Sequence, residues 1–292
     1  VAHGFYGVEG INIVILYPKG KVSDIQEKQL TTLDKNIYAL EIDGTFDDCQ
    51  NLVKTAFLDK NLKNKINLSS ANSINIGRLI PQSFYYSYSY LQLKDKKIPT
   101  VFSVPCGNFG NITAGLIAKK MGVPIHRFIA STNLNDVVPK YLETGEYNPM
   151  PSIQTISNAM DVGNPSNMVR ILDMYGNIKN IKKDIISWAF DESKTSNMIQ
   201  EIYNKYNYIM DPHSSVGILG LLKYINEQNI NMNNVFLGTA HPGKFADIVE
   251  PIIDSDIELP ERLKKVIELE KNTIELKNNY DEFYDYLLKT FQ

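Results

Sequence analysis

Val104-Pro105-Cys106-Gly107-Asn108-Phe109-Gly110-Asn111 is the stretch from which the rest of the chain can be read. The apolar run 99–105 predicts a buried strand and 112–121 predicts a helix, with a glycine-bounded turn between them. A strand, a glycine turn and a helix start together present free backbone N–H groups to an anion. Gly107 and Gly110 allow positive φ and close approach of a ligand to the backbone. Asn108 and Asn111 add side-chain donors, and Phe109 sits between them. The same residues also suit a plain tight turn with a helix cap, and on these residues alone both readings stand. A Walker loop is excluded, because no Gly-Lys-Ser/Thr follows, and the spacing is not G-x-G-x-x-G.

Outward from the turn, strands and helices alternate. Residues 11–17 form an apolar run closed by Pro18, 22–33 have helical spacing, 36–42 alternate up to Asp43-Gly44, and 46–58 are amphipathic. Beyond the turn, 124–130, 182–190 (with the single tryptophan, Trp188) and 234–238 read as strands. Helices are expected from 133, over 167–175, 195–210, 215–228 and 245–253. Such alternation predicts an α/β fold of open, mostly parallel sheets flanked by helices. A charged connector at 91–97 suggests a smaller α/β domain, 1–92, and a larger one, 93–292. The charged tail 260–292 is expected to be helical and docked on the outside. The tyrosine-rich helix 78–90 is expected to pack on a sheet and not to stack bases, since no basic groove accompanies it.

The 292 residues suffice for one large or two ordinary domains, and 43% hydrophobic content supplies a core. With 30 basic and 33 acidic side chains, the net charge of −3 argues against a nucleic-acid or anionic membrane partner. No apolar run approaches membrane length and no signal peptide is present. The two cysteines, Cys49 and Cys106, form no spaced framework, which fits a reduced, cytoplasmic setting. His3, His126, His213 and His241 are not at zinc spacing, so no metal is expected. Nothing in these features fixes an oligomeric state.

The run V-P-C-G-N-F-G-N-I-T-A-G, 104–115, resembles the cofactor-phosphate loop of the threonine synthases, a family of pyridoxal-phosphate enzymes. Further stretches match that family in the same order: 12–20 (N-I-V-I-L-Y-P-K-G), 72–78 (N-S-I-N-I-G-R), 127–136 (R-F-I-A-S-T-N-L-N-D), 157–167 (S-N-A-M-D-V-G-N-P-S-N), 211–217 (D-P-H-S-S-V-G) and 238–245 (G-T-A-H-P-G-K-F). The resemblance covers essentially the whole chain, and the ordered motifs are far more specific than one glycine loop. It implies the two-domain, fold type II, tryptophan-synthase-β-like architecture. It also implies a lyase of threonine biosynthesis that converts O-phospho-L-homoserine and water to L-threonine and phosphate, with pyridoxal 5′-phosphate as cofactor.

By the same resemblance Gly107, Asn108, Phe109, Gly110 and Asn111 hold the cofactor phosphate, and Thr239 faces the pyridine nitrogen. Ser73, Asn75 and Arg78 are implied on the substrate side, Arg78 at the substrate phosphate. Thr239 could instead cap the next helix, and Arg78 could be a helix-surface arginine. The family more often has Ser where this chain has Cys106, which puts one polar contact of the loop in doubt. His213 and His241 are expected to fix loops, Lys244 to be a structural or surface lysine, and Asp161 and Asn164 carry no assigned role. Family members carry an N-terminal portion before the position matching Val1, with the Schiff-base lysine and a Ser-Gly-Asp-Thr-Gly-type turn. Neither occurs in this sequence, so the expectation is a C-terminal fragment with no catalytic lysine, inactive alone. Two alternatives remain at this level: a related lyase that eliminates phosphate or water without rehydration, against which 72–78 argues, and a catalytically silent binding module.

Overall fold

The structure is a computed structural model that describes residues 2–73, 75–228 and 230–292. Val1, and Ile74 of the 72–78 motif, lie outside the described residues. Two compact units emerge, Val1–Ser69 with Glu258–Gln292, and Ser70–Ile257. The first part of the chain carries α1 (Ala2–Phe5), β1 (Ile13–Pro18), α2 (Asp24–Thr31), β2 (Ile37–Asp43), α3 (Phe46–Leu58) and α4 (Lys60–Lys63). The second unit opens with a 3-10 turn, η1 (Ile76–Arg78), then α5 (Leu79–Gln92), β3 (Thr100–Pro105), α6 (Gly110–Lys120), β4 (Arg127–Thr132) and α7 (Val137–Thr144). It continues through η2 (Asn158–Met160), α8 (Met168–Tyr175), α9 (Ile178–Asp184), β5 (Ile185–Ala189), α10 (Glu192–Tyr206), α11 (Pro212–Gln228), β6 (Asn233–Phe236), η3 (Pro242–Phe245) and α12 (Ala246–Ile253). The last part returns to the first unit with α13 (Glu261–Ile267), β7 (Ile274–Lys277) and α14 (Tyr280–Phe291).

The smaller unit is a parallel sheet in the order β1-β2-β7, with Ile13 opposite Ile37 and Leu40 opposite Ile274. Thr45 starts α3 by a reciprocal cap with Asp48. The helix then turns Cys49, Leu52 and Ala56 onto Leu40 and Ile42 of β2, and Phe283 and Leu287 of α14 close the same cluster. The tail 260–292 is therefore not an external helical appendage. It contributes a strand and a core-packed helix, because Ile274–Lys277 completes the sheet and the apolar stripe of α14 has no other place to be buried.

This also moves the division of the chain from the expected 1–92 and 93–292. Residues 258–292 belong with the first unit, and α5 belongs with the second, where it packs on α6 and the larger sheet. A second difference is local. Residues 182–184 end a helix capped by Asn177, and only then does β5 begin.

The larger sheet is parallel throughout, in the order β5-β4-β3-β6. Alternate residues of its strands serve opposite faces. Phe102, Val104, Phe128 and Ala130 pack with Tyr86 of α5 and Ile112 and Leu116 of α6. Val101 and Ile129 pack with Leu221 and Tyr224 of α11. With helices on both faces, β3 is buried along its whole length. The tyrosine-rich helix does pack on the sheet: Tyr86 is fully buried with ring centroids 5.1 Å from Phe102 and 5.8 Å from Phe128, although Tyr88 faces outward.

Strand order locates the place where a ligand can enter. From β3 the chain steps to β4 and β5 on one side, then returns to lay β6 on the other side of β3. The strand order thus reverses between β3 and β6, and in such sheets a crevice opens beyond the carboxyl ends at that point. The glycine turn follows β3, and Thr239 follows β6. No helix among the described residues is long and apolar enough to cross a membrane.

Candidate active site

The turn after β3 does not use its glycines as expected. Positive φ falls on Phe109, at +59°, and on neither Gly107 nor Gly110. Phe109 is the left-handed residue before α6, buried and held by Thr113, whose hydroxyl donates to its carbonyl at 2.6 Å. A non-glycine residue there stores roughly 1–3 kcal/mol of backbone strain. The glycines are required by close approach instead. A Cβ on Gly107 would stand 2.6 Å from Met160 Cα and 2.9 Å from the Ala159 carbonyl oxygen. A Cβ on Gly110 would stand 2.9 Å from Ser73 Cβ.

Among the described residues, the amide nitrogens of Gly107, Asn108, Phe109, Gly110 and Asn111 donate to no protein acceptor, whereas Cys106 N donates to Ser131 O at 2.8 Å. Five consecutive unpaired donors at a helix N-terminus are a cradle for an anion. A cavity of about 230 Å³ opens over them. Residues 107–111 and Pro105 form one wall, and Asn72, Ser73, Arg78 and Gln82 form the other. Arg78 is the one charged side chain of that lining, so the cavity favours negative charge.

The two asparagines brace the loop more than they face the cavity. Asn108 Nδ2 donates to Ser73 Oγ (3.0 Å), and its Oδ1 accepts from Ser166 N (2.5 Å) and Ser166 Oγ (2.8 Å). Asn167 Nδ2 donates to the Asn108 carbonyl (2.9 Å), and Arg170 Nη1 donates to the Ser73 carbonyl (2.8 Å) and Asn167 Oδ1 (2.5 Å). Asn111 Oδ1 accepts from the hydroxyls of Tyr85 (2.5 Å) and Tyr86 (2.6 Å). Burial pushes the Tyr85 phenol up to about 12 and raises Tyr86 well above its ordinary value, so both stay neutral donors.

The structure thus brings Ser73 and Arg78 together with residues 107–111. Asn75 stands apart from that wall: its Oδ1 accepts from Gly77 N (3.0 Å) and its Nδ2 donates to Ser70 O (3.0 Å), which caps η1. Arg78 spends one donor on the Ala71 carbonyl. Thr239 is exposed beyond β6, at the same sheet edge but outside the cavity lining. Cys106 also lies outside that lining: Sγ donates to Val104 O (3.2 Å), and burial holds the thiol well above its ordinary range. Gln82, Ser166, Asn167 and Arg170 were not singled out from the sequence. Asn167 closes the quoted 157–167 motif and Arg170 follows one helical turn later, so only spacing could have pointed to it.

The remaining motif residues are braces. Asp161 accepts from Asn133 Nδ2 (2.8 Å), Thr155 Oγ1 (2.7 Å) and Thr155 N (2.9 Å), with its carboxyl raised by burial. Asn164 Oδ1 accepts from the Tyr147 hydroxyl (3.2 Å), and His241 Nδ1 accepts from Gly243 N (3.1 Å) to cap η3, the turn that contains Lys244. His213 bridges the Asp211 carboxylate and the Ala159 amide.

Comparison with known proteins places this arrangement. The family model "Pyridoxal-phosphate dependent enzyme" matches residues 7–238, and "Threonine synthase, C-terminal" matches 214–286. Threonine synthase of Haemophilus influenzae is 45% identical over 291 residues, 99% of this chain and 68% of that protein. The crystal structure of threonine synthase from Escherichia coli superposes with a TM-score of 0.92 at 41% identity, over 99% of this chain and 67% of that one. The structure of pyridoxal-phosphate-bound threonine synthase from Brucella melitensis does so with a TM-score of 0.85 at 32% identity, over 99% and 67%. The chain spans about two thirds of the length of these relatives.

Proposed function

The chain belongs to the pyridoxal-phosphate-dependent enzymes and, among them, to the threonine synthases, and from that premise we propose that its protein converts O-phospho-L-homoserine and water to L-threonine and phosphate. The observation that carries this reading is the cradle: five unpaired amides at the α6 N-terminus, facing the wall that holds Arg78. The cavity fits a phosphate-bearing cofactor, because its five backbone donors need an acceptor and the one charged side chain lining it is Arg78.

The amides of residues 107–111 hold the phosphate of pyridoxal 5′-phosphate, with Tyr85, Tyr86 and Ser166 fixing the asparagines that shape the loop. Thr239, beyond the carboxyl end of β6, would face the ring nitrogen of the bound cofactor; a hydroxyl, unlike a carboxylate, does not force that nitrogen to be protonated. Arg78 binds the substrate phosphate through its planar, permanent charge. Ser73 lines the same wall, and Asn75 holds the turn that presents both. When bound, the cofactor supplies the electron sink for loss of the α- and β-protons. The two free, buried thiols, Cys49 and Cys106, agree with a reduced cytoplasm as the place of work.

The test is product analysis with the intact protein, pyridoxal phosphate and O-phospho-L-homoserine. The proposal expects equimolar threonine and phosphate. Phosphate with 2-oxobutanoate and ammonia would instead identify a lyase that eliminates without rehydration.

A further inference from the structure

Behind the cradle lies a second contact that no cofactor would touch. Gly107 backs directly onto η2, whose backbone leaves no space for a Cβ. The position of η2 therefore sets the shape of the loop. η2 is pinned in turn by a side chain from another element: the Ala159 N–H donates to His213 Nε2 at 3.2 Å. Because Nε2 accepts, the ring proton sits on Nδ1 and is donated to Asp211 Oδ1 at 2.9 Å. Asp211 is itself fixed at the start of α11 by the His213 and Ser214 amides, 2.9 and 3.3 Å away, and by the Ser214 hydroxyl. His213 is 4% exposed and lies 4.9 Å from the Phe245 ring, centroid to centroid, so its orientation is fixed.

We infer that His213 is a positioning residue for the cofactor-phosphate loop: through Nε2 it holds Ala159, and with it η2, against Gly107, and so sets the affinity for the cofactor's phosphate without touching it. The inference rests on the reading of residues 107–111 as the cradle. A histidine serving only the core would not divide its work this way. Nδ1 serves the start of α11, whereas Nε2 serves the loop.

Two variants separate the two nitrogens. In His213→Asn the amide reaches the Nδ1 position and can still donate to Asp211, but nothing accepts the Ala159 N–H. In His213→Gln the amide reaches the Nε2 position, and its oxygen can accept that N–H. Pyridoxal phosphate is titrated into each intact variant, with the melting temperature of the cofactor-free protein and the phosphorus-31 shift of the bound phosphate recorded beside it. The expectation is a cofactor affinity about tenfold or more weaker in His213→Asn with a displaced phosphorus shift, and an affinity within about threefold of the parent in His213→Gln. Should His213→Asn fail to fold, Ala159→Pro deletes the donor from the other side and carries the same expectation. Affinities that merely follow the melting temperatures in both variants, or that do not change, would overturn the role of His213. A parent protein that binds no pyridoxal phosphate, or a Gly107→Val protein that retains it fully, would overturn the cradle and this inference with it, so the two failures are told apart.

Discussion

The Asn108 side chain donates to Ser73 Oγ across 3.0 Å, which joins the loop that follows β3 to the turn that precedes α5. Asn108 Oδ1 meanwhile accepts from Ser166, and the Ser73 carbonyl accepts from Arg170. The loop assigned to the cofactor, the motif assigned to the substrate and the start of α8 are therefore one hydrogen-bonded assembly. Occupancy of one part is expected to be felt in the others.

Ser73→Ala removes the acceptor of Asn108 without changing the backbone. It is expected to weaken both cofactor retention and substrate use by a few-fold, the effect of one net hydrogen bond of about 0.5–1.5 kcal/mol. In a double-mutant cycle with Asn108→Ala the two losses should be less than additive. Strict additivity in cofactor affinity would mean that the contact carries no coupling.

Gly107→Ala and Gly110→Ala are expected to differ in kind. At Gly107 the new Cβ meets backbone, so η2 must move, with about 1–3 kcal/mol of stability and most of the cofactor affinity lost. At Gly110 it meets Ser73 Cβ, so the substrate turn is displaced and the KM for O-phospho-L-homoserine rises more than the cofactor affinity falls. Thermal melting, cofactor titration and steady-state kinetics read the three quantities. Equal, small effects at both positions would contradict the packing described.

Arg78→Ala is expected to raise the KM for O-phospho-L-homoserine about ten- to hundred-fold, as loss of a charge-assisted contact of roughly 1.5–3 kcal/mol requires. Cofactor affinity should stay within a few-fold, since the cradle is built from backbone. Unchanged kinetics would return Arg78 to the role of a surface residue.

Burial acts to raise the Asp211 carboxyl, but the hydrogen bonds from His213 and Ser214 outweigh it and hold the group below its ordinary range. A folded value below the unfolded one of about 3.9 contributes stability that is fully present above the unfolded value. That stability is lost as pH falls through about 4 toward the folded value. Asp211→Asn is therefore expected to cost about 1.5–3 kcal/mol at neutral pH and progressively less below about pH 4. Urea unfolding at a series of pH values measures this, and a deficit constant from neutral pH down to pH 3.5 would argue against it.

What could be read without coordinates was local. The buried β3, the turn and α6 follow one another within about 20 residues, and α3 is bounded by Thr45 and Asp48 at its start, so period and capping signals locate them. The strand β7 was missed because four mostly exposed residues in a charged tail carry almost no alternation, and their partner, β2, lies more than 200 residues earlier. Ser73 and Arg78 were placed by motif, but Asn75 turned back onto its own backbone, which residue type alone does not reveal. The reason for Gly107 was nonlocal as well: it is the approach of Ala159 and Met160 of η2, far along the chain, and not a dihedral angle.

The measurement closest to the central claim is a crystal structure of the intact protein with pyridoxal phosphate bound. The account predicts phosphate oxygens within about 3 Å of the amide nitrogens of residues 107–111, with η2 still against Gly107. A phosphate bound elsewhere, for example in the groove of about 590 Å³ beside β5 where Arg127 and Lys182 stand, with those amides left to solvent, would contradict it.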